Sequence, residues 1–198
     1  MRLNAVETAL MNNPLRSAIQ RHFEAPRLRA MGGPLAGGRA LELGCGRGIG
    51  VELMLDRFGA GRVDAFDLDP RMVRRARRRL GRREGVRLWV GDATAIAAPD
   101  ASYDAIFDFG IIHHVPSWRA VLREIHRVLR PAGRLYAEEV FEPLITDPLW
   151  RRLLEHPQAN RFDHDGFRDA LAAEGFQLVA TRTLWNRFGW FVADRQPA

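Results

Sequence analysis

From residue 39 onward, short apolar runs alternate with stretches of helical period, and that alternation leaves few folds open. Arg39–Leu43, Arg62–Phe66, Val86–Val90, Tyr103–Phe109 and Arg134–Val140 read as strands. Between them, Gly48–Phe58, Pro70–Leu80 and Ser117–Leu129 read as helices, the last stopped by Pro131. Strand and helix in turn build a parallel sheet, because each strand needs a crossover to return to the same edge. The tail departs from this. Asp163–Glu174 is helical, but only Trp185, Asn186 and Arg187 join Phe176–Leu184 to Phe188–Ala193. That link is too short for a crossover, so these two strands pair antiparallel. The prediction is an α/β fold: a doubly wound, mostly parallel seven-stranded sheet with helices on both faces and the last strand antiparallel.

With 198 residues and 46% hydrophobic content the chain can bury a full core, and 27% charged residues argue against disorder. No apolar run reaches the roughly 18 residues that a spanning helix needs, and Met1–Ala5 lacks the layout of a secretory leader. One cysteine, Cys45, gives no disulfide framework and fits a reducing compartment, so the expected location is cytoplasmic. The net charge of +6 comes with arginine as the sole strong base, since the chain has no lysine. Eight arginines fall between Arg71 and Arg83. They suit either an anionic partner such as RNA or, in the plainer reading, the solvated face of a helix whose Met72, Val73, Ala76 and Leu80 turn inward.

Strand Arg39–Leu43 runs straight into Gly44-Cys45-Gly46-Arg47-Gly48 and a helix. Glycines there allow a sharp turn and close approach of a ligand, and the helix start offers free N–H groups. A dinucleotide fingerprint needs glycine at 49 or 51, which are Ile and Val, and a phosphate loop needs a lysine. What stands there is Glu42-x-Gly44-x-Gly46-x-Gly48, which resembles the first motif of the class I S-adenosylmethionine-dependent methyltransferases. The next strand ends in Asp67-Leu68, Asp67 lying nineteen residues after Gly48, and the third in Gly91-Asp92-Ala93. Tyr103–Phe107 and Val128–Leu135 match the surroundings of the family's fourth and fifth strands, with Ala132 in place of a glycine.

The resemblance covers residues 39–140 and implies S-adenosylmethionine as cofactor and a methyltransferase activity. It implies cofactor contacts at Glu42, Gly44, Cys45, Gly46, Gly48, Asp67, Leu68, Asp92, Ala93 and Phe109. Glu42 would face the ammonium, Asp67 the ribose hydroxyls and Asp92 the adenine amine. The expected organisation is an N-terminal helical lid segment over residues 1–38 and a Rossmann-like methyltransferase domain over 39–198, in one compact whole. The lid would also draw on Phe141–Asn160, with Trp150, Phe162, Trp185 and Trp190 as apolar walls.

His113 and His114, just after the fourth strand, are the candidate catalytic bases, since imidazole titrates near neutrality. Neighbours on a helix point different ways, so one at most would act. No histidine pair has metal-ligand spacing, so no metal is expected. Cys45 reads as packing rather than as a nucleophile. Asp108-Phe109-Gly110-Ile111-Ile112 stands where amino-methylating DNA enzymes carry Asn/Asp-Pro-Pro-aromatic. The expectation is therefore a small, apolar acceptor, open to delivery at a membrane surface, with nucleic acid disfavoured. The competing readings are an RNA or protein methyltransferase working from the Arg71–Arg83 helix and a non-catalytic S-adenosylmethionine-binding protein.

Overall fold

The computed structural model describes residues 13–145 and 160–197. Strands β1 (Arg39–Leu43), β2 (Arg62–Asp67), β3 (Val86–Val90), β4 (Tyr103–Phe109) and β5 (Leu129–Val140) run parallel. β7 (Phe188–Arg195) lies antiparallel between β5 and β6 (Phe176–Leu184), giving the order β3-β2-β1-β4-β5-β7-β6. The sheet is the expected one. Its strand order reverses between β1 and β4, and in an open α/β sheet ligands bind at the carboxyl ends of the strands flanking such a switch.

The pleat divides the core between the two faces. Leu41, Leu43 and Ile106 pack on one side with Trp118, Val121, Leu122 and Ile125 of α5 (Trp118–Val128). Ala40, Ala105 and Phe107 pack on the other with Val51, Leu53 and Met54 of α3 (Ile49–Asp56) and with Phe58. Helix α4 (Pro70–Leu80) has Asp69 as its cap, accepting from Arg71 N–H, and Pro70 in its first turn. It buries Met72, Val73, Ala76 and Leu80, the stripe read from the sequence.

Three boundaries differ from the sequence reading. The helix before β5 stops at Val128 and the strand begins at once at Leu129, which pairs with Tyr103 before the ladder resumes at Ala105 and Arg134. Pro131, which has no N–H to give, and Ala132, at φ 61°, sit in the resulting bulge. Helix α3 starts at Ile49 because Gly48 takes φ 83°, a left-handed value no helix interior uses. The segment after β5, expected only as part of the lid, carries a short helix α6 (Glu142–Ile145) ahead of α7 (His164–Ala173). Trp150 lies outside the described residues.

At the N-terminus, α1 (Pro14–Ile19), a π turn (Gln20–Glu24) and α2 (Ala25–Gly32) follow one another directly. Asn13 caps this run by accepting from Arg16 N–H at 2.7 Å. Tyr136 of β5 anchors its far end, donating to the Gly32 carbonyl at 2.9 Å.

Candidate cofactor and acceptor site

The carboxyl ends of β1, β2 and β4 bring Glu42, Asp67 and Asp108 to one edge, which is where the sequence reading places the first two. Asp67 accepts from Gly46 N–H and Asp69 N–H, each at 2.9 Å, one through each carboxylate oxygen. Each oxygen retains lone-pair capacity for a hydroxyl. A Cβ built on Gly46 would meet nothing within 4 Å, so the turn opens onto empty space on that side. Asp92 at the next strand end is exposed and binds Thr94 N–H and Oγ at 2.8 Å through one oxygen. Exposed Leu68 and buried Ala93 supply apolar surface beside these two acids. The edge thus offers two carboxylates to hydroxyl and amine donors and an apolar side chain to a ring, a donor set that fits an adenosine.

Glu42 is far less exposed than Asp67 and Asp92. It is buried beneath the start of α3: a Cβ on Gly50 would lie 1.8 Å from its Oε1 and 2.9 Å from the ring of Phe109. Glycine at 50 is therefore what lets the helix pass over the carboxyl. Burial, then the charge of Asp67, push the Glu42 pKa well above the ordinary carboxyl range. Its Oε2 has no hydrogen-bond partner among the described residues. An ammonium nearby would relieve both conditions. Cys45 is buried, and burial pushes its thiol pKa up, which removes it as a nucleophile at neutral pH.

Beside this edge the candidate base His113 meets two acids that sequence reasoning did not assign to the site. Glu139 of β5 is fully buried, accepts from Ile112 N–H at 2.8 Å and contacts His113 Nδ1 at 2.5 Å. Its carboxylate therefore both closes the turn Ile112–His114 and holds the His113 ring. Asp108 of β4, also fully buried, accepts from Ile111 N–H at 2.9 Å, and its other oxygen has no donor to accept from among the described residues. Burial, then the neighbouring Glu139 charge, push the Asp108 pKa well up, while burial pushes Glu139 up to about 7. A protonated Asp108 donating to Glu139 satisfies both groups. The His113 ring reaches the turn after β4, with Cε1 3.7 Å from a Cβ built on Gly110. The His114 ring lies alongside at a centroid distance of 4.1 Å, so the two rings do not diverge as they would on an α-helix. The sequence signal for this cluster was charge at the ends of otherwise apolar strands: Asp108, Glu138 and Glu139.

The N-terminal helices border the same edge. Arg47 of the glycine turn donates to Ser17 Oγ at 3.3 Å, Arg21 pairs with Glu52, and Arg16 bridges Glu24 and, at 3.5 Å, Glu138. The aromatic walls expected of the lid are placed otherwise. Trp190 is buried against Phe23 and under the Arg27 guanidinium, Phe162 packs into the core on Trp118, and Trp185 stands 80% exposed at the β6–β7 turn. Among the described residues, no helix is long and apolar enough to cross a membrane.

Residues 41–137 match the family model described as a methyltransferase domain, covering the ends of β1, β2, β3 and β4. Those residues, just under half of the chain, form a methyltransferase domain of the class I S-adenosylmethionine-dependent type. It is 34% identical over 119 residues to a fatty-acid O-methyltransferase of Mycolicibacterium smegmatis, a match spanning 60% of this chain and 42% of that one. It is 38% identical over 104 residues to the ubiquinone biosynthesis O-methyltransferase of Xanthomonas oryzae, spanning 52% of this chain and 43% of that one. The chain thus spans less than half the length of both relatives. Among solved structures, the methyltransferase in complex with the Trm112 activator of Haloferax volcanii superposes with a TM-score of 0.81 at 19% identity, covering 97% of this chain and 95% of that one. A methyltransferase of Aquifex aeolicus superposes at 0.76 with 17% identity, covering 98% and 100%. At such identities the superpositions speak for the fold.

Proposed function

We propose that this methyltransferase transfers a methyl group to a small, largely apolar acceptor carrying an O–H or N–H, with His113 as the general base. The observation that carries this reading is the buried chain Asp108–Glu139–His113 at the ends of β4 and β5, beside the cofactor edge. When bound, S-adenosylmethionine supplies an electrophilic methyl and leaves as a thioether. Glu139 accepts from Nδ1–H of His113, which makes Nε2 the basic nitrogen and orients the ring. Asp108, holding a proton, donates to Glu139 and steadies it. Loss of the acceptor's proton to Nε2 as the oxygen or nitrogen forms its bond to the methyl leaves an imidazolium that Glu139 stabilises. Glu42, Asp67 and Asp92 bind the donor from the other side, with Gly44, Gly46 and Gly48 shaping the turn against it. His114 serves as packing.

Of the segment 1–38, residues 1–12 lie outside the described residues; residues 13–38 act as the lid, an assignment supported by the contacts of Ser17, Arg21 and Arg16 with Arg47, Glu52 and Glu138. The relatives that act on fatty acids and in ubiquinone biosynthesis support an apolar acceptor. An RNA platform on α4 is less well supported. Arg79 pairs with Glu52 and Arg83 with Asp56, and the helix packs over β2 and β3, on the far side of β1 from His113. The test is production of S-adenosylhomocysteine with a panel of phenols, hydroxy acids and amines. His113→Gln should lower kcat about 10²–10⁴-fold with cofactor affinity unchanged. A variant turning over at the wild-type rate would remove His113 from the chemistry.

A further inference from the structure

Arg161 lies near this end of the sheet and takes no part in the site described above. All three guanidinium nitrogens are shut off from solvent and have no hydrogen-bond partner among the described residues. The backbone around it is pinned on both sides. Asn160 donates from its side-chain amide to the Pro116 carbonyl at 2.6 Å, and the Phe162 carbonyl accepts from Glu142 N–H at 3.2 Å. Pro116 follows the His113 turn, and Glu142 begins the short helix after β5, so Arg161 is held between the exits of the two strands that carry Asp108 and Glu139. Burial pulls its pKa down, and the charge of Glu142 offsets this only in part.

A guanidinium carries five N–H donors in a planar fork, and leaving them all unmet in a buried site is strongly unfavourable. Groups left unmet in this way mark places where a ligand completes the set. We propose that Arg161 is the anchor for a single oxyanion on the methyl acceptor, a carboxylate received by the guanidinium fork. This rests on the methyltransferase reading above and adds the acceptor's head group to it. One guanidinium balances one charge, and the carboxylate of Glu142 beside it opposes a second, which favours a carboxylate over a doubly charged phosphate. The carboxylate is a handle; the O–H or N–H presented to His113 is a separate group.

The experiment uses the full chain loaded with S-adenosylhomocysteine and three probes with one apolar body: octanoate, octanol and octyl phosphate. Calorimetry should show octanoate binding more tightly than the other two. Arg161→Met should weaken octanoate at least tenfold and leave octanol and S-adenosylhomocysteine unchanged, while Arg161→Lys should recover part of the loss. Without ligand, Arg161→Met should melt at or above the wild-type temperature, because it removes an unmet buried charge. The proposal is overturned if octanoate binds no better than octanol, if octyl phosphate binds best, or if Arg161→Met binds octanoate as tightly as wild type. It is also overturned if Arg161→Met melts several degrees lower, the mark of a structural arginine. Failure to bind S-adenosylhomocysteine would instead count against the methyltransferase reading itself.

Discussion

Glutamine at Glu139 offers a direct view of the buried proton chain. The carboxyl is fully buried and its pKa is pushed up to about 7 from an ordinary value of 4.5. Between those two values the folded protein holds a proton that the unfolded chain has released. The native state is therefore favoured fully below about pH 4.5, and that advantage is lost as pH rises to about 7. At 1.36 kcal/mol per pH unit the loss amounts to about 3 kcal/mol. Glu139→Gln keeps an acceptor for Ile112 N–H but has nothing to titrate. Urea denaturation followed by tryptophan fluorescence should show the variant gaining on wild type by about 3 kcal/mol from pH 4.5 to 7.5, then no further. The same comparison in an Asp108→Asn background separates the proton of Asp108 from that of Glu139. A difference that stays flat across this range would refute the buried proton, whatever the constant offset between the two proteins.

Other expectations are simpler. Gly50→Ala places a methyl 1.8 Å from Glu42 Oε1, so it should cost about 1–3 kcal/mol in unfolding free energy and weaken cofactor binding, read by melting and calorimetry. Trp118→Ala empties a position that is 1% exposed at the centre of one core and should cost about 3–5 kcal/mol in urea unfolding. Reversing Arg75 and Arg78 to Glu on the exposed face of α4 should leave turnover of a small acceptor within about twofold, since surface changes of this kind are small; a large loss would restore the anionic-platform reading.

Much of the sheet was legible because its strands are short, apolar and separated by helical periods of matching length. The β6–β7 pairing followed from a link of three residues alone. The start of β5 was not legible, since Pro131 read as a helix stop when in fact it forms, with Ala132, a bulge tolerated within a long strand. In the site, Asp67 and Asp92 were readable from strand ends and glycines, which encode local geometry. Glu139 and Asp108 were not, because their partners are set by the register of β4 against β5 and by the turn after β4. Arg161 gave no signal in a chain rich in arginine, where only burial distinguishes one from another.

The central claim is that the turn at Gly44–Gly48 with Asp67 holds S-adenosylmethionine. Calorimetric titration of that cofactor into the wild type and Asp67→Ala tests it most directly. Two charge-assisted bonds to ribose hydroxyls, at about 1.5 kcal/mol or more each, predict a loss of about 100-fold or greater. A wild-type protein that does not take up the cofactor, or an Asp67→Ala variant that binds it equally well, would contradict the account.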